Sequence, residues 1–175
     1  MDTRFFHGIV VKKERLTGET SRLVIFSYEE GKLTAFSKEK FKRNFLLFEG
    51  GYYLLGADSF RNNTVKEWEL IECFANTHQL AFIQATQEVI ERYFPNRTGR
   101  KYFPFFLSAL RRIDKREALI KNYTWFLAIL ARKEGWGRIL PEHIEKTFIL
   151  HRRIDEKELK DAFKRAIKIQ KEMTR

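Results

Sequence analysis

Between Gly8 and Lys40 the chain reads GIVVKKERLTGETSRLVIFSYEEGKLTAFSKEK, three short apolar runs divided by turn-forming residues. Runs this short, rich in Val, Ile, Leu and Phe and closely punctuated, suit a tightly wound antiparallel sheet. In the second run Leu23 and Ile25 alternate with Arg22, Val24 and Phe26, so both faces are partly apolar. One face is expected to meet a core, the other to be functional or covered. The turn Glu29-Glu30-Gly31-Lys32 puts Gly31 at a positive-φ position and fixes the hairpin register into Leu33-Thr34-Ala35-Phe36.

The neighbouring segments extend this pattern. A first strand is predicted over Arg4 to Lys13, with Phe5, His7, Ile9 and Val11 on one face and Phe6, Val10 and Lys12 on the other. Gly18 breaks the pattern before the second strand. A fourth strand is predicted across Phe45 to Phe60, interrupted by a turn or bulge at Gly50-Gly51. Arg61 to Thr64 is a turn, and Val65 to Phe74 forms the fifth strand. Five strands within about 75 residues fit a small barrel of the OB type.

Beyond that point strand periodicity ends. Asn76 and Gln79 form a capping box, and Pro95 closes the helix they open. A second helix is predicted from near Pro104, presenting Phe103, Phe106, Leu107 and Leu110. Asp114 and Glu117 cap a third, whose Leu119, Ile120, Tyr123, Phe126, Leu127, Ile129 and Leu130 leave little polar face and predict burial. Gly135 and Gly137 end it. A short helix follows from Pro141. Asp155 and Glu158 cap the last, in which Leu159, Ala162, Phe163, Ala166 and Ile167 share one stripe. Lys157, Lys160, Lys164, Lys168 and Lys171 share the opposite one, with no acidic residue within that stripe. The fold class is therefore α+β, with a five-stranded OB-fold barrel over residues 1–75 and a helical domain over 76–175.

At 175 residues, 43% apolar and with 17 Phe, the chain has ample material for a core. No apolar run approaches the roughly 18 residues that span a bilayer. The N-terminal MDTRFF has no signal-peptide core, so a cytoplasmic protein without a membrane partner is expected. The single cysteine, Cys73, lies in an apolar-polar alternation and reads as a buried strand thiol. His7, His78, His143 and His151 lack metal-ligand spacing. No carboxylate pair, nucleophile-base set or ligand cluster stands out, so neither enzymatic activity nor a cofactor or metal is expected.

The net charge of +11 suggests a polyanionic partner. Residues 1–75 carry 12 Lys+Arg against 11 Asp+Glu, whereas residues 76–175 carry 22 against 12, so the excess lies in the helical part. In the barrel part, Lys38, Lys42 and Arg43 interleave with Phe41 and Phe45, and Lys12, Lys13 and Arg22 flank the first connection. Cations neutralise phosphates while ring faces accept any base, the combination that single strands require. The same Phe41 and Phe45 spacing also suits core positions of a barrel-capping helix. On the last helix, Lys160, Lys164 and Lys168 are candidate auxiliary phosphate contacts.

Gly8-Ile9-Val10, then Gly18-Glu19-Thr20-Ser21-Arg22-Leu23-Val24, then Gly31-Lys32-Leu33 with Lys38 behind it, resemble the N-terminal OB-fold of the bacterial recombination mediator RecO family. WFLAILARKEGWG, Trp125 to Gly137, resembles that family's passage from a core helix into an L-G-Y-type turn. The resemblance implies a DNA repair and recombination protein that binds single- and double-stranded DNA, anneals complementary strands and loads RecA with RecR and SSB. Lys12, Lys13, Arg22, Lys38, Lys42 and Arg43 match its basic barrel pattern. It also implies that the helical domain receives the acidic, Phe-ending SSB C-terminal tail. Rim candidates for that tail are Arg111, Arg112, Lys115, Arg116 and Arg132, near Leu110 and Leu130. Two departures stand out. Ser37-Lys38-Glu39 replaces the frequent A-K-G, and Arg138 to Arg153 contains no trace of the four-cysteine zinc module. A protein-docking adaptor with little DNA affinity and an RNA-binding OB-fold are the alternative readings; the sequence does not separate 2′-hydroxyl readers from DNA binders.

Overall fold

The computed structural model describes residues 3–38, 47–58, 63–93, 99–114, 119–150 and 152–173. The chain is α+β: a five-stranded sheet is followed by five helices among the described residues. It forms two compact units, Met1–Leu110 and Arg111–Arg175. The switch from strand to helix falls between Cys73 and Thr77. The first helix and most of the second therefore belong with the strands.

In the first unit the strands are β1 (Thr3–Arg15), β2 (Thr20–Ser27), β3 (Gly31–Lys38), β4 (Gly51–Asp58) and β5 (Thr64–Cys73). The pairing order β1-β2-β3-β5-β4 closes into a ring because β4 returns to β1. All pairings are antiparallel except β3 with β5, which is parallel and joins only Phe36 to Thr64 and Ser37 to Val65. Gly31, at φ 76°, ends the tight β2–β3 turn as the sequence predicts. Phe6, Val10, Leu23, Ile25, Leu33, Ala35, Tyr53, Leu55, Ala57 and Val65 fill the interior.

The second face of β2 is covered. Val24 and Phe26 are buried, and Phe26 meets the rings of Phe103 and Phe106 at 5.8 and 5.4 Å. These rings belong to α2 (Gly99–Asp114), which follows α1 (Thr77–Tyr93). Phe82 of α1 stacks on Phe106 at 5.8 Å. Burying one such phenyl ring contributes about 2 to 3 kcal/mol. Helix α1 opens on the predicted capping box: the Gln79 N–H donates to Asn76 Oδ1 at 2.8 Å, and the Asn76 N–H reaches Gln79 Oε1 at 3.4 Å.

Several expectations need correcting. The fourth strand starts at Gly51, because Gly50 turns the chain at φ 84° and residues 47–50 lie outside the ladder. Helix α2 begins five residues before Pro104, which sits in its interior. Pro104 is exposed, so the Arg100 carbonyl that it leaves without an N–H is on the wet side, while Tyr102, Phe103 and Phe106 are buried. Gly99 makes this early start possible, since a Cβ there would lie 2.1 Å from the Ser27 carbonyl oxygen in the β2–β3 turn. Cys73 is exposed, not buried: its register partner is Gly51, which has no side chain to cover the thiol.

The second unit contains α3 (Leu119–Lys133), α4 (Glu142–Ile149) and α5 (Glu156–Met173). Tyr123, Phe126, Leu127 and Leu130 of α3 are buried as predicted, but Ile120 is 47% exposed at the helix start. The buried face instead takes in Asn122 and Thr124, whose hydroxyl returns a hydrogen bond to the Ile120 carbonyl at 2.7 Å. The helix ends in a Schellman motif. The Trp136 N–H reaches the Ala131 carbonyl, the Gly135 N–H reaches that of Arg132, and Gly135 sits at φ 83°. Leu140, Ile144, Phe148 and Ala162 pack with Ala128. Asp155 caps α5 through the N–H groups of Lys157 and Glu158. Of the proposed Asp114–Glu117 box, Asp114 is the last residue of α2 and Glu117 lies outside the described residues. Among the described residues no helix is long and apolar enough to cross a membrane.

Candidate nucleic-acid interface

Strand alternation and register decide which cations share a surface. Arg22 lies directly across from Phe36 on one side and Glu14 on the other; Thr20 lies across from Lys38, and Lys12 from Val24. Leu23 and Ala35, one residue along, point into the core. Arg22, Phe36, Lys38, Lys12 and Glu14 therefore occupy the outer face of β1–β3. The half of this face nearer the β2–β3 turn is covered at Phe26, so its accessible part is the end carrying Arg22, Phe36 and Lys38.

The charge on this surface is partly cancelled. Glu14 bonds the Lys12 ammonium and lies 3.5 Å from the Arg22 guanidinium. Hydrogen bonding to Glu14 holds Lys12 above the usual lysine range, and Lys12 in turn holds the Glu14 carboxyl below its own. Lys13 does not join the group. It is the register partner of Leu23, and its N–H donates to Glu49 at 2.8 Å. Phe41, Lys42, Arg43 and Phe45 lie outside the described residues.

Phe36 is not among the site residues expected from the sequence, although a signal for it exists. The hairpin pairs Ser27 with Gly31, and counting outward from that turn brings Arg22 opposite Phe36. An aromatic ring thus stands beside the cation within the ladder itself. Glu14 was equally legible by parity and was also missed.

In the second unit the lysine stripe of α5 is exposed, but the expectation of an uninterrupted field is overturned. Glu156, one turn before Lys160, pairs with it at 2.7 Å. Lys164 and Lys168 are exposed. Of the tail-rim candidates, Arg111 and Arg112 occupy the last turn of α2, and Lys115 and Arg116 lie outside the described residues. Arg132 is bonded to the buried Glu145 carboxylate, which Arg138 also contacts at 3.2 Å. Leu110 and Leu130 are fully buried and so offer no open notch.

No family model matches this chain, and no curated protein matches its sequence.

Proposed function

We propose that the first unit is an OB-fold that binds single-stranded DNA without sequence preference, and that the protein acts as a RecO-like recombination mediator. The ring order with its short parallel β3–β5 closure supports the OB assignment. The observation that carries the binding reading is the outer-face group of Arg22, Phe36 and Lys38, two cations around one ring. Phosphate neutralisation supplies affinity, and stacking favours unpaired bases over duplex. The α5 lysines add a weaker, ring-free contact. Resemblance to the RecO family supplies the wider role, strand annealing and RecA loading with RecR and SSB.

The test is anisotropy titration of mixed-sequence single strands, matching duplex and RNA across a salt series. Engagement of about four phosphates gives a log–log salt slope near −3, at roughly 0.7 per phosphate for single strands. Changing Arg22 and Lys38 to Ala should weaken every sequence alike and flatten the slope by about 1.4. Changing Lys160, Lys164 and Lys168 should do less. An Arg22/Lys38 variant that binds like wild type removes the proposed site. Tighter binding to RNA than to DNA replaces the DNA reading with an RNA-binding OB-fold.

A further inference from the structure

Strand β5 has one side paired along its length to β4, from Gly51–Cys73 to Asp58–Thr64. On its other side β3 pairs only with Thr64 and Val65. From Glu67 to Ile71, that edge has no strand partner among the described residues. The side chains along it alternate in character. Glu67 and Glu69 are exposed on the outer face, in register with Gly56 and Leu54 of β4. Trp68 packs on the interior cluster, and Leu70, in register with the core residue Tyr53, is 41% exposed. Ile71, at the register shift beside it, is also exposed.

The geometry points to this edge as a docking site for an extended segment of a partner protein in which basic and apolar residues alternate. A strand added to β5 continues the rows of the sheet. Its outward side chains come beside Glu67 and Glu69, and its inward side chains beside Trp68 and Leu70. The row Phe6–Leu55–Trp68 would gain a fourth apolar member, and the two carboxylates would gain Lys or Arg neighbours. The same carboxylates discriminate against other occupants. Charged residues protect an open edge from self-pairing, and a second β5 would bring glutamates together. Nucleic acid is repelled here, so this surface and the Arg22–Phe36 end of the unit serve different ligands. The inference does not rest on the DNA reading.

The test uses the full chain and a labelled peptide of about ten residues, strand-length, alternating Lys and Val. Two controls have the same composition: one with all lysines in a block, the other alternating but N-methylated at every second residue to remove edge-facing N–H groups. The alternating peptide should bind at least about tenfold more tightly than either control, because only it satisfies both the ladder and the side-chain rows. Glu67→Gln with Glu69→Gln should lose about tenfold for this peptide while leaving single-strand DNA binding unchanged. Equal binding of the blocked peptide would mean charge attraction alone, and equal binding of the N-methylated one would mean that no strand is added; either overturns the proposal. Sedimentation showing a dimer that the alternating peptide does not dissociate would assign the edge to a second copy, and also overturns it.

Discussion

Arg22 and Phe36 face each other across the β2–β3 ladder, on the outer side of a sheet whose inner side holds Leu23 and Ala35. A cation beside a partly exposed ring joins the two components that single strands engage, phosphate charge and base stacking. Because register fixes their spacing, neither residue needs a loop to position it.

The two contributions separate experimentally. Phe36→Ala should cost about 1 to 3 kcal/mol of single-strand affinity if one base stacks on the ring. It should leave the salt slope unchanged, since no charge is lost. Arg22→Ala should also weaken binding but, unlike the ring variant, flatten the slope by about 0.7. Anisotropy titrations at several salt concentrations distinguish the pair, and a Phe36→Ala protein with wild-type affinity would show that the ring is no stacking platform.

How legible was this arrangement in the sequence? The strands of the first hairpin, the Asn76–Gln79 box, the Gly135 terminus and the Asp155 cap were all readable, because each depends on residues within a few positions of one another. What local pattern could not supply was the partner on the other side. Alternation leaves the Phe26 face either functional or covered, and only α2, laying Phe103 and Phe106 on it, decides for covered. Cys73 alternates like a core residue until its neighbour proves to be Gly51. Lys160 reads as part of an unopposed stripe because Glu156, the residue that pairs with it from one turn earlier, is not one of the stripe's own positions. The candidate site followed the same rule. Arg22 and Lys38 were found by their charge, whereas Phe36 required register.

Phe126 is 1% exposed at the centre of α3. Phe126→Ala should destabilise the protein by about 3 to 5 kcal/mol, combining lost transfer energy with the cavity left behind. Urea melts followed by far-ultraviolet circular dichroism measure it. A loss below about 1 kcal/mol would mean that the helix relaxes around the site and is not central to its unit.

Glu145 is buried between two half-exposed arginines, Arg132 and Arg138. Removing the carboxylate frees both guanidinium groups to water, so the cost is smaller than for stranding a buried charge. Glu145→Ala should lose about 1 to 2 kcal/mol. Arg132→Ala with Arg138→Ala should lose more, because it leaves the carboxylate buried without either cation. Denaturant melts that rank the two variants in the opposite order would contradict this account of the cluster.

Tyr53 provides a pH signature of the first unit's interior. Its phenol is fully buried in the β4 core, and burial pushes its pKa up to about 12, although the Phe48 N–H donating to the phenolic oxygen at 3.1 Å favours the ionised form. In the unfolded chain the same group ionises near 10. Between those values the unfolded state releases a proton that the folded state keeps, so stability falls as pH rises. The contribution is intact below about pH 10 and about 2 to 3 kcal/mol smaller once pH passes 12. Tyr53→Phe removes the ionisation together with the Phe48 hydrogen bond. The stability difference between wild type and this variant should be constant from about pH 8 to 9 and shift by about 1 kcal/mol in favour of the variant by pH 11. Urea melts at these pH values test it, with absorbance at the tyrosinate band as an independent measure of a late-ionising phenol. A difference that stays flat through pH 11 would show that Tyr53 ionises alike in both states and that its ring is not sealed from water.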